Sequence, residues 1–266
     1  MNKPANTIYV PELAQSGVMI VGGTSGVGLA TAIDFAAAGV TRIALVGRNV
    51  ERGEAARKKV LDKFPSANVA FISADANYVD QAVAAVAQAN ASIGNIDVLV
   101  NSTVSTFVPK LFHEMPIEDI EPILLQQMLA PLLMCRAVMA GMREKGGGAI
   151  INIASDAGKV ATPGESVIGA AMAGISMFSR GLAMEAKRSG IRVNTLTPSL
   201  IEGTATYGRV MDDPFSAKLF AGAVSLAKLG VAQPEDLSGL IVFLASPQGA
   251  RITGQTISVN GGISAA

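Results

Sequence analysis

Short apolar runs alternate with amphipathic segments of helical period along almost the whole chain. Each apolar run ends at turn residues, which is typical of strands buried on both faces of a parallel sheet. Seven runs are predicted as strands: Gly17–Gly22, Arg42–Gly47, Asn68–Ser73, Ile96–Asn101, Ala149–Ala154, Ile191–Leu196 and Thr256–Val259. Strands that alternate with helices through short connections predict a parallel sheet with helices on both faces. We therefore predict an α/β fold, with a single doubly wound Rossmann-type domain over residues 1–266.

Two long helical segments and one long insertion stand out from this regular spacing. The helical segments are Ile117–Lys145, which ends at a run of three glycines, and Ser166–Ser189. The insertion runs from Ser199 to about Leu229 and contains a predicted short helix near Pro214–Ala227. Insertions of this length in a compact domain are usually lids or substrate loops, so we expect this one to lie beside a binding site.

Composition narrows the classes of function. Lys and Arg number 21, as do Asp and Glu, so the basic surplus of a nucleic-acid-binding protein is absent. A charged fraction of 16% beside 50% apolar residues indicates surface buried against other subunits. Cys135 is the only cysteine; no disulfide or metal site is predicted, and we expect this thiol in the core. Met1–Gln15 lacks an apolar signal core and Pro122–Cys135 is too short to span a bilayer, so we expect a cytoplasmic protein outside membranes.

A glycine-rich loop follows the first predicted strand and opens the first predicted helix. Backbone without side chains can approach a diphosphate closely, and the helix N-terminus behind it offers free N–H groups. The spacing is Gly-x-x-x-Gly-x-Gly, and the predicted cofactor loop comprises Gly22, Thr24, Ser25, Gly26, Val27 and Gly28. The loop predicts a dinucleotide-shaped site; the alternative is a tight turn inherited from such a fold that no longer holds a ligand.

Two charged residues follow the next strands. An NAD site normally places Asp or Glu at the end of the second strand to bind the ribose, whereas this chain has Arg48. Arg48 is suited to a 2′-phosphate, which favours NADP, or it is a solvated surface charge. Asp75 follows the third strand and either accepts from an adenine amino group or caps the following helix.

The order of these motifs resembles the short-chain dehydrogenase/reductase family over nearly the whole chain. The motifs that carry the resemblance are Val21-Gly22-x-x-x-Gly26-Val-Gly28, Asp75, Leu99-Val-Asn101, Ile150-Ile-Asn-Ile-Ala-Ser155, Gly190-Ile-Arg-Val-Asn194, Pro198, Pro234-Glu-Asp236 and Thr253-Gly-Gln-Thr-Ile-Ser-Val-Asn-Gly-Gly262. The resemblance implies a seven-stranded sheet, NAD(P) as cofactor, and dimers or tetramers. It also implies that the Ile117–Lys145 and Ser166–Ser189 helices form the contact between subunits.

The family's chemistry uses an Asn, a Ser and a Tyr-x-x-x-Lys pair, in which the Tyr transfers the proton. In this chain the resemblance places those positions at Gln127, Ser155, Ile168 and Met172. Ile and Met have no titratable proton, and loss of one positioned acid or base typically costs about 10² to 10⁴ in rate. The resemblance therefore implies that Ser155 is retained and the proton-transfer pair is lost.

Few other residues are candidates to replace that pair. Of Tyr9, Tyr78 and Tyr207, only Tyr207 in the insertion is placed to approach the site. Lys159 is expected to be a solvated loop charge, and the sole histidine, His113, a surface residue. In addition, Val104 stands where family members have a Gly beside the adenosine ribose, which adds bulk at the cofactor site.

These losses predict a catalytically silent subunit that binds NAD(P) weakly or not at all. The local sequence around Ser155 resembles that of family members that act on alicyclic or aromatic hydroxyacyl-CoA thioesters. The expected partner is a homologous active subunit that binds NAD, joined in a hetero-oligomer, in benzylsuccinate β-oxidation during anaerobic toluene degradation. Two alternatives stay open: an active oxidoreductase or lyase with altered catalytic residues, and a regulatory protein that senses a nucleotide.

Overall fold

The computed structural model describes residues 9–266 and contains one seven-stranded sheet in which all paired strands are parallel. The strands are β1 (Gly17–Val21), β2 (Arg42–Gly47), β3 (Asn68–Ser73), β4 (Val98–Asn101), β5 (Gly148–Ile153), β6 (Ile191–Pro198) and β7 (Thr256–Val259). Their order across the sheet is β3-β2-β1-β4-β5-β6-β7. This arrangement confirms the predicted doubly wound fold.

Helices cover both faces of the sheet. They are α1 (Gly26–Ala37), α2 (Val50–Lys63), α3 (Val79–Ile93), α4 (Ile120–Leu124), α5 (Ala130–Lys145), α6 (Ser166–Ala186), α7 (Ala205–Asp212), α8 (Pro214–Leu226) and α9 (Pro234–Ala245). Short 3-10 turns lie at Leu13–Gln15, Phe112–Glu114, Ile117–Asp119, Asp156–Gly158, Lys187–Ser189 and Pro247–Gly249. Alternate residues of β1 enter opposite cores: Val18 and Ile20 pack toward α1, α2 and α9, whereas Met19 and Val21 pack toward α3, α5 and α6.

Two elements differ from the sequence-based predictions. The Ile117–Lys145 segment is not one regular α-helix, because a π-helical turn at Leu125–Leu129 separates α4 from α5. The insertion contains two helices instead of one, and α7 was not predicted. Thr204 caps α7 by accepting from the Tyr207 N–H at 3.1 Å, and Asp213 caps α8 by accepting from the Ser216 N–H at 2.8 Å.

The two long helical segments also bear on the membrane question. By length and composition, Ile117–Lys145 and Ser166–Ser189 are each sufficient to cross a bilayer. Both supply buried side chains to the core beneath the sheet, including Met134, Val138 and Ala183. Helices that pack against a sheet are typical of a protein core. The length and composition of these two segments are therefore weak evidence for a membrane span.

The strand order places a crevice at one end of the sheet. From β1 the chain moves outward to β3, then returns to β4 on the other side of β1. The connections from β1 and β4 therefore leave in opposite directions, and ligands of open α/β sheets bind at the carboxyl ends of such a pair.

Candidate functional site

A cavity of about 640 Å³ opens at this crevice. Its wall is formed by the loops that follow β1 through β6 and by the α7–α8 insertion, as the insertion's length predicted. The sequence-predicted site residues in the wall are Gly22, Thr24, Ser25, Gly26, Val27, Arg48, Asp75, Gln127, Ser155, Ile168 and Met172. The fold thus brings the predicted cofactor residues and the predicted catalytic positions into one continuous space.

Gly28 lies outside the cavity wall and has a packing role. A Cβ on Gly28 would collide with the carbonyl oxygen of Gly22, so its absence lets α1 approach the turn. Gly22 has φ of +79°, and a Cβ there would collide with the Ser102 carbonyl. The Ser25 side chain makes no capping hydrogen bond at the start of α1. The first N–H groups of α1 are therefore available to an anion, and the bare turn fits the diphosphate of NAD(P).

Arg48 lies at the end of β2, beside Asp75. The Arg48 guanidinium is 3.6 Å from the Asp75 carboxylate, and its side chain is 56% exposed. Asp75 also accepts from the Asn77 N–H at 3.1 Å, and the side chain preceding α3 makes no cap, so the helix-cap alternative for Asp75 is wrong. Arg52, which the sequence reasoning missed, lines the same end of the cavity. Two guanidinium groups at the same end of the cavity suit a phosphate better than a ribose hydroxyl.

The four predicted catalytic positions have different surroundings. The Ser155 hydroxyl accepts from the Ala157 N–H at 3.2 Å, which leaves its own proton free to donate. Gln127 lies in the π-helical turn and is 4% exposed. Ile168 and Met172 are buried in an apolar cluster that also contains Ile123 and Ile175. The two residues predicted at the Tyr and Lys positions therefore give the cavity an apolar wall there.

Asp156 holds the C-terminal tail beside the cavity. Its carboxylate accepts from Asn260 Nδ2 and Ser264 Oγ, each at 2.6 Å. Lys159 donates to Ser258 Oγ at 2.5 Å and is partly buried, so the prediction of a solvated loop charge is wrong. The sequence offered no sign of this contact, because Ser258 lies 99 residues away along the chain.

The remaining single-residue predictions are mostly confirmed. His113 is a surface residue with a side chain that is 77% exposed. Cys135 is fully buried, and burial raises the pKa of its thiol to about 12, which excludes a nucleophile. Tyr207 lines the cavity as predicted. Val104 also lines it, although its side chain is 51% exposed.

One acidic residue in the wall was missed entirely. Glu165 immediately precedes α6 and lies one helical turn before Ile168. It is only partly exposed, and burial raises the pKa of its carboxyl to about 7 against a smaller opposing effect from a hydrogen bond to Thr162. The sequence shows only a Glu near a helix start, and nothing in the pattern marks it as buried.

The insertion closes the far side of the cavity with apolar groups. Those side chains are Val210, Leu219, Phe220, Ala223 and Leu226. Arg209 is the cation in this part of the wall and donates to Thr206 Oγ1 at 3.0 Å. This region is suited to an acyl or other apolar chain.

Comparison with known proteins gives consistent matches over nearly the whole chain. Residues 21–264 match the family described as Enoyl-(Acyl carrier protein) reductase. The chain is 34% identical over 251 residues to 3-oxoacyl-[acyl-carrier-protein] reductase FabG of Chlamydia muridarum, covering 94% of this chain and 98% of that protein. It is 30% identical over 244 residues to acetoacetyl-CoA reductase of Shinella zoogloeoides, covering 92% and 96%.

A solved structure is similar at the same scale. It is a short chain oxidoreductase from Pseudomonas aeruginosa PAO1, described as NADPH-bound and as containing an atypical catalytic center. The TM-score is 0.87 at 26% identity, with 96% of this chain and 99% of that chain covered.

These relatives correct the predicted function. The expectation of a silent subunit that stabilises a benzylsuccinate-pathway dehydrogenase is wrong, because these relatives are named as reductases of 3-oxoacyl-[acyl-carrier-protein] or of acetoacetyl-CoA. Loss of the Tyr and Lys side chains does not remove the cavity, whose wall also contains the acidic residues Asp75, Asp156 and Glu165. The alternative of an active enzyme with altered catalytic residues agrees better with the relatives.

Proposed function

The chain belongs to the short-chain dehydrogenase/reductase family, and on that premise we propose that it is an active, NADPH-dependent reductase of 3-oxoacyl thioesters with altered catalytic residues. The observation that carries the proposal is the single cavity that joins the glycine loop to Ser155 and to the apolar insertion. A silent subunit would have no need of this continuous space. The substrate class follows the names of the similar reductases.

The cofactor end of the proposal depends on backbone and on arginine. The turn from Gly22 to Gly26 and the start of α1 would hold the diphosphate, since no side chain caps the first N–H groups of α1. Arg48 and Arg52 would hold the 2′-phosphate and so favour NADPH over NADH. When bound, NADPH supplies the hydride for reduction. The similar Pseudomonas aeruginosa protein, which is described as holding NADPH, supports this choice.

The substrate end depends on Ser155 and the apolar walls. We place the substrate carbonyl at Ser155, whose hydroxyl donates to the carbonyl oxygen and polarises it. Ile168 and Met172 shape the wall beside it and exclude water. The acyl chain extends toward α7 and α8, where the lining is apolar.

The test compares cofactor binding with turnover. We expect the purified chain to bind NADPH more tightly than NADH by calorimetry and to oxidise NADPH when acetoacetyl-CoA is added. Arg48→Ala removes a charge-assisted contact of about 1.5–3 kcal/mol, so the NADPH Kd should rise about 10- to 100-fold while the NADH Kd stays within about twofold. Arg251→Ala, an exposed arginine outside the cavity, is the matched control.

Two results would count against the proposal. One is a wild-type chain that binds neither nucleotide. The other is an Arg48→Ala variant that weakens NADPH and NADH equally, which would remove the reason for assigning the 2′-phosphate to this end of the cavity.

We also propose assembly with a second subunit of the same fold through the Ile117–Lys145 and Ser166–Ser189 helices. Met177 and Met184 support it, because they lie seven residues apart on α6 and are 65% and 62% exposed. Large apolar side chains so exposed along one helix face are typical of subunit contacts.

A further inference from the structure

Reduction of a carbonyl needs a proton as well as a hydride. The hydride forms a new C–H bond at the carbonyl carbon, the C=O π bond breaks, and the oxygen must take a proton from a group within reach. Ile168 and Met172, which line this part of the cavity, have no proton to give. The donor therefore has to be another protic group in the same wall.

Most other ionisable groups in the wall are already engaged. Asp156 accepts two hydrogen bonds of 2.6 Å from the C-terminal tail, so its carboxylate oxygens already have partners. Asp75 pairs with Arg48 at the end of β2. Arg52 and Arg209 carry guanidinium groups, a side-chain type that donates hydrogen bonds but does not serve as an acid in catalysis. Tyr207 has a phenolic proton but lies on α7 within the insertion, on a different element from Ile168. Glu165 is the remaining carboxyl group in the wall.

The backbone around Glu165 is fixed from two sides. Gly164 has φ of +83°, and its carbonyl accepts from the Lys110 N–H at 2.9 Å. A Cβ on Gly164 would stand 2.8 Å from the Phe215 ring, so the turn packs directly against α8. On its other side, Glu165 accepts the Gly169 N–H through its own carbonyl. The backbone of Glu165 is thus fixed, and the residue lines the cavity three positions before Ile168.

The surroundings of this carboxyl favour its protonated form up to about neutral pH. Other titratable or charged side chains in the cavity wall are Arg48, Arg52, Asp75, Asp156, Tyr207 and Arg209, and Lys110 and Asp213 flank the segments that contact Gly164. Within residues 9–266, none of these cations forms an ion pair with Glu165. Burial therefore acts without a compensating charge and raises the Glu165 pKa to about 7. An acid with a pKa near the working pH is the most effective proton donor.

We propose that Glu165 is the catalytic acid of this chain and protonates the substrate oxygen as hydride from NADPH reaches the carbonyl carbon. This inference rests on the proposed reductase function. A bound NADPH would supply the two electrons as hydride and leave as NADP⁺, so that the ketone becomes the alcohol, and the Glu165 carboxylate regains its proton from solvent. The Ser155 hydroxyl orients the same oxygen by a hydrogen bond.

The direct test is Glu165→Gln, which keeps the size and polarity of the side chain and removes the proton. We expect kcat for acetoacetyl-CoA reduction to fall about 10²- to 10⁴-fold, with the NADPH Kd within about threefold of wild type. In the wild type, kcat/KM should decline above about pH 7, where Glu165 loses its proton, and Glu165→Gln should lack that decline. Glu202→Gln, an exposed Glu outside the cavity, should behave as wild type.

A second measurement does not depend on activity. In the nucleotide-free protein, infrared difference spectra should show a protonated carboxyl band that titrates near pH 7 and is absent from Glu165→Gln. A Glu165→Gln variant that retains wild-type kcat and its pH dependence overturns the inference but leaves the reductase function standing. A wild-type chain that reduces no 3-oxoacyl thioester overturns the reductase function and the inference with it.

Discussion

The Glu165 carboxyl lies partly buried in the cavity wall, and burial raises its pKa from 4.5 to about 7. Between those two values the unfolded chain has lost this proton while the folded chain keeps it. The contribution to stability is therefore fully present below about pH 4.5 and is lost as pH rises through about 7. After an allowance for partial exposure, the loss amounts to about 2 kcal/mol.

Urea unfolding measured from pH 4 to pH 8 tests this prediction. The free energy of unfolding of Glu165→Gln relative to wild type should rise across that range, because only the wild type loses stability by ionising this side chain. A difference between the two proteins that stays constant with pH would show that the carboxyl is not perturbed by folding.

Among single residues, the sequence identified those that belong to local motifs. It missed those whose surroundings depend on contacts with segments far along the chain. Arg48 was found because it follows the second predicted strand, and Ser155 because it ends a motif that carries the family resemblance. Glu165 owes its raised pKa to burial, and the neighbouring Gly164 packs against Phe215 and Lys110, which no local pattern in the sequence records. The prediction of a solvated Lys159 was wrong because its hydrogen-bond partner, Ser258, lies far along the chain on the edge strand β7.

Among the elements, the strands were predictable and the irregular helices were not. Apolar runs between turn residues gave β2, β3 and β7 with the bounds that the structure shows. The π-helical turn at Leu125–Leu129 escaped prediction, because its apolar pattern is close to that of an α-helix. It matters for the site, since it contains Gln127 and faces the cavity beside Ser105.

Met177 and Met184 are exposed on α6, at the proposed contact between subunits. The double variant Met177→Glu with Met184→Glu places charges on the proposed contact between subunits, and desolvating them there is unfavourable. We expect light scattering after size exclusion to show a dimer or tetramer for the wild type and a monomer for the variant. Val83→Glu, at a residue 58% exposed on α3, should leave the assembly unchanged.

Two results bear on the identity of the partner. A wild-type chain that assembles alone supports a contact between two copies, whereas assembly only with a coexpressed homologue supports a mixed oligomer. Wild type and double variant with the same molar mass under both conditions would contradict the proposed interface.

For the whole molecule, the sheet order explains why the site lies where it does. The connections that follow β1 and β4 leave in opposite directions and open the crevice. The glycine turn, Arg48 and Arg52 lie on one side of it, and the α7–α8 insertion closes the other side. The alternation of strands and helices was enough to predict this architecture from sequence. Activity was not predictable in the same way, because two substitutions by apolar residues do not show which other group in the cavity carries a proton.

Under the proposed function, this chain itself transfers hydride to a 3-oxoacyl thioester. To test this, the purified chain is incubated with acetoacetyl-CoA and with NADPH deuterated at C4 on one face or the other, and the product is analysed by mass spectrometry. We expect one of the two cofactors to yield 3-hydroxybutyryl-CoA with one deuterium at C3, and Arg48→Ala to slow its formation. Unlabelled product from both deuterated forms of NADPH would contradict the proposed reductase function. So would the absence of product while NADPH remains intact.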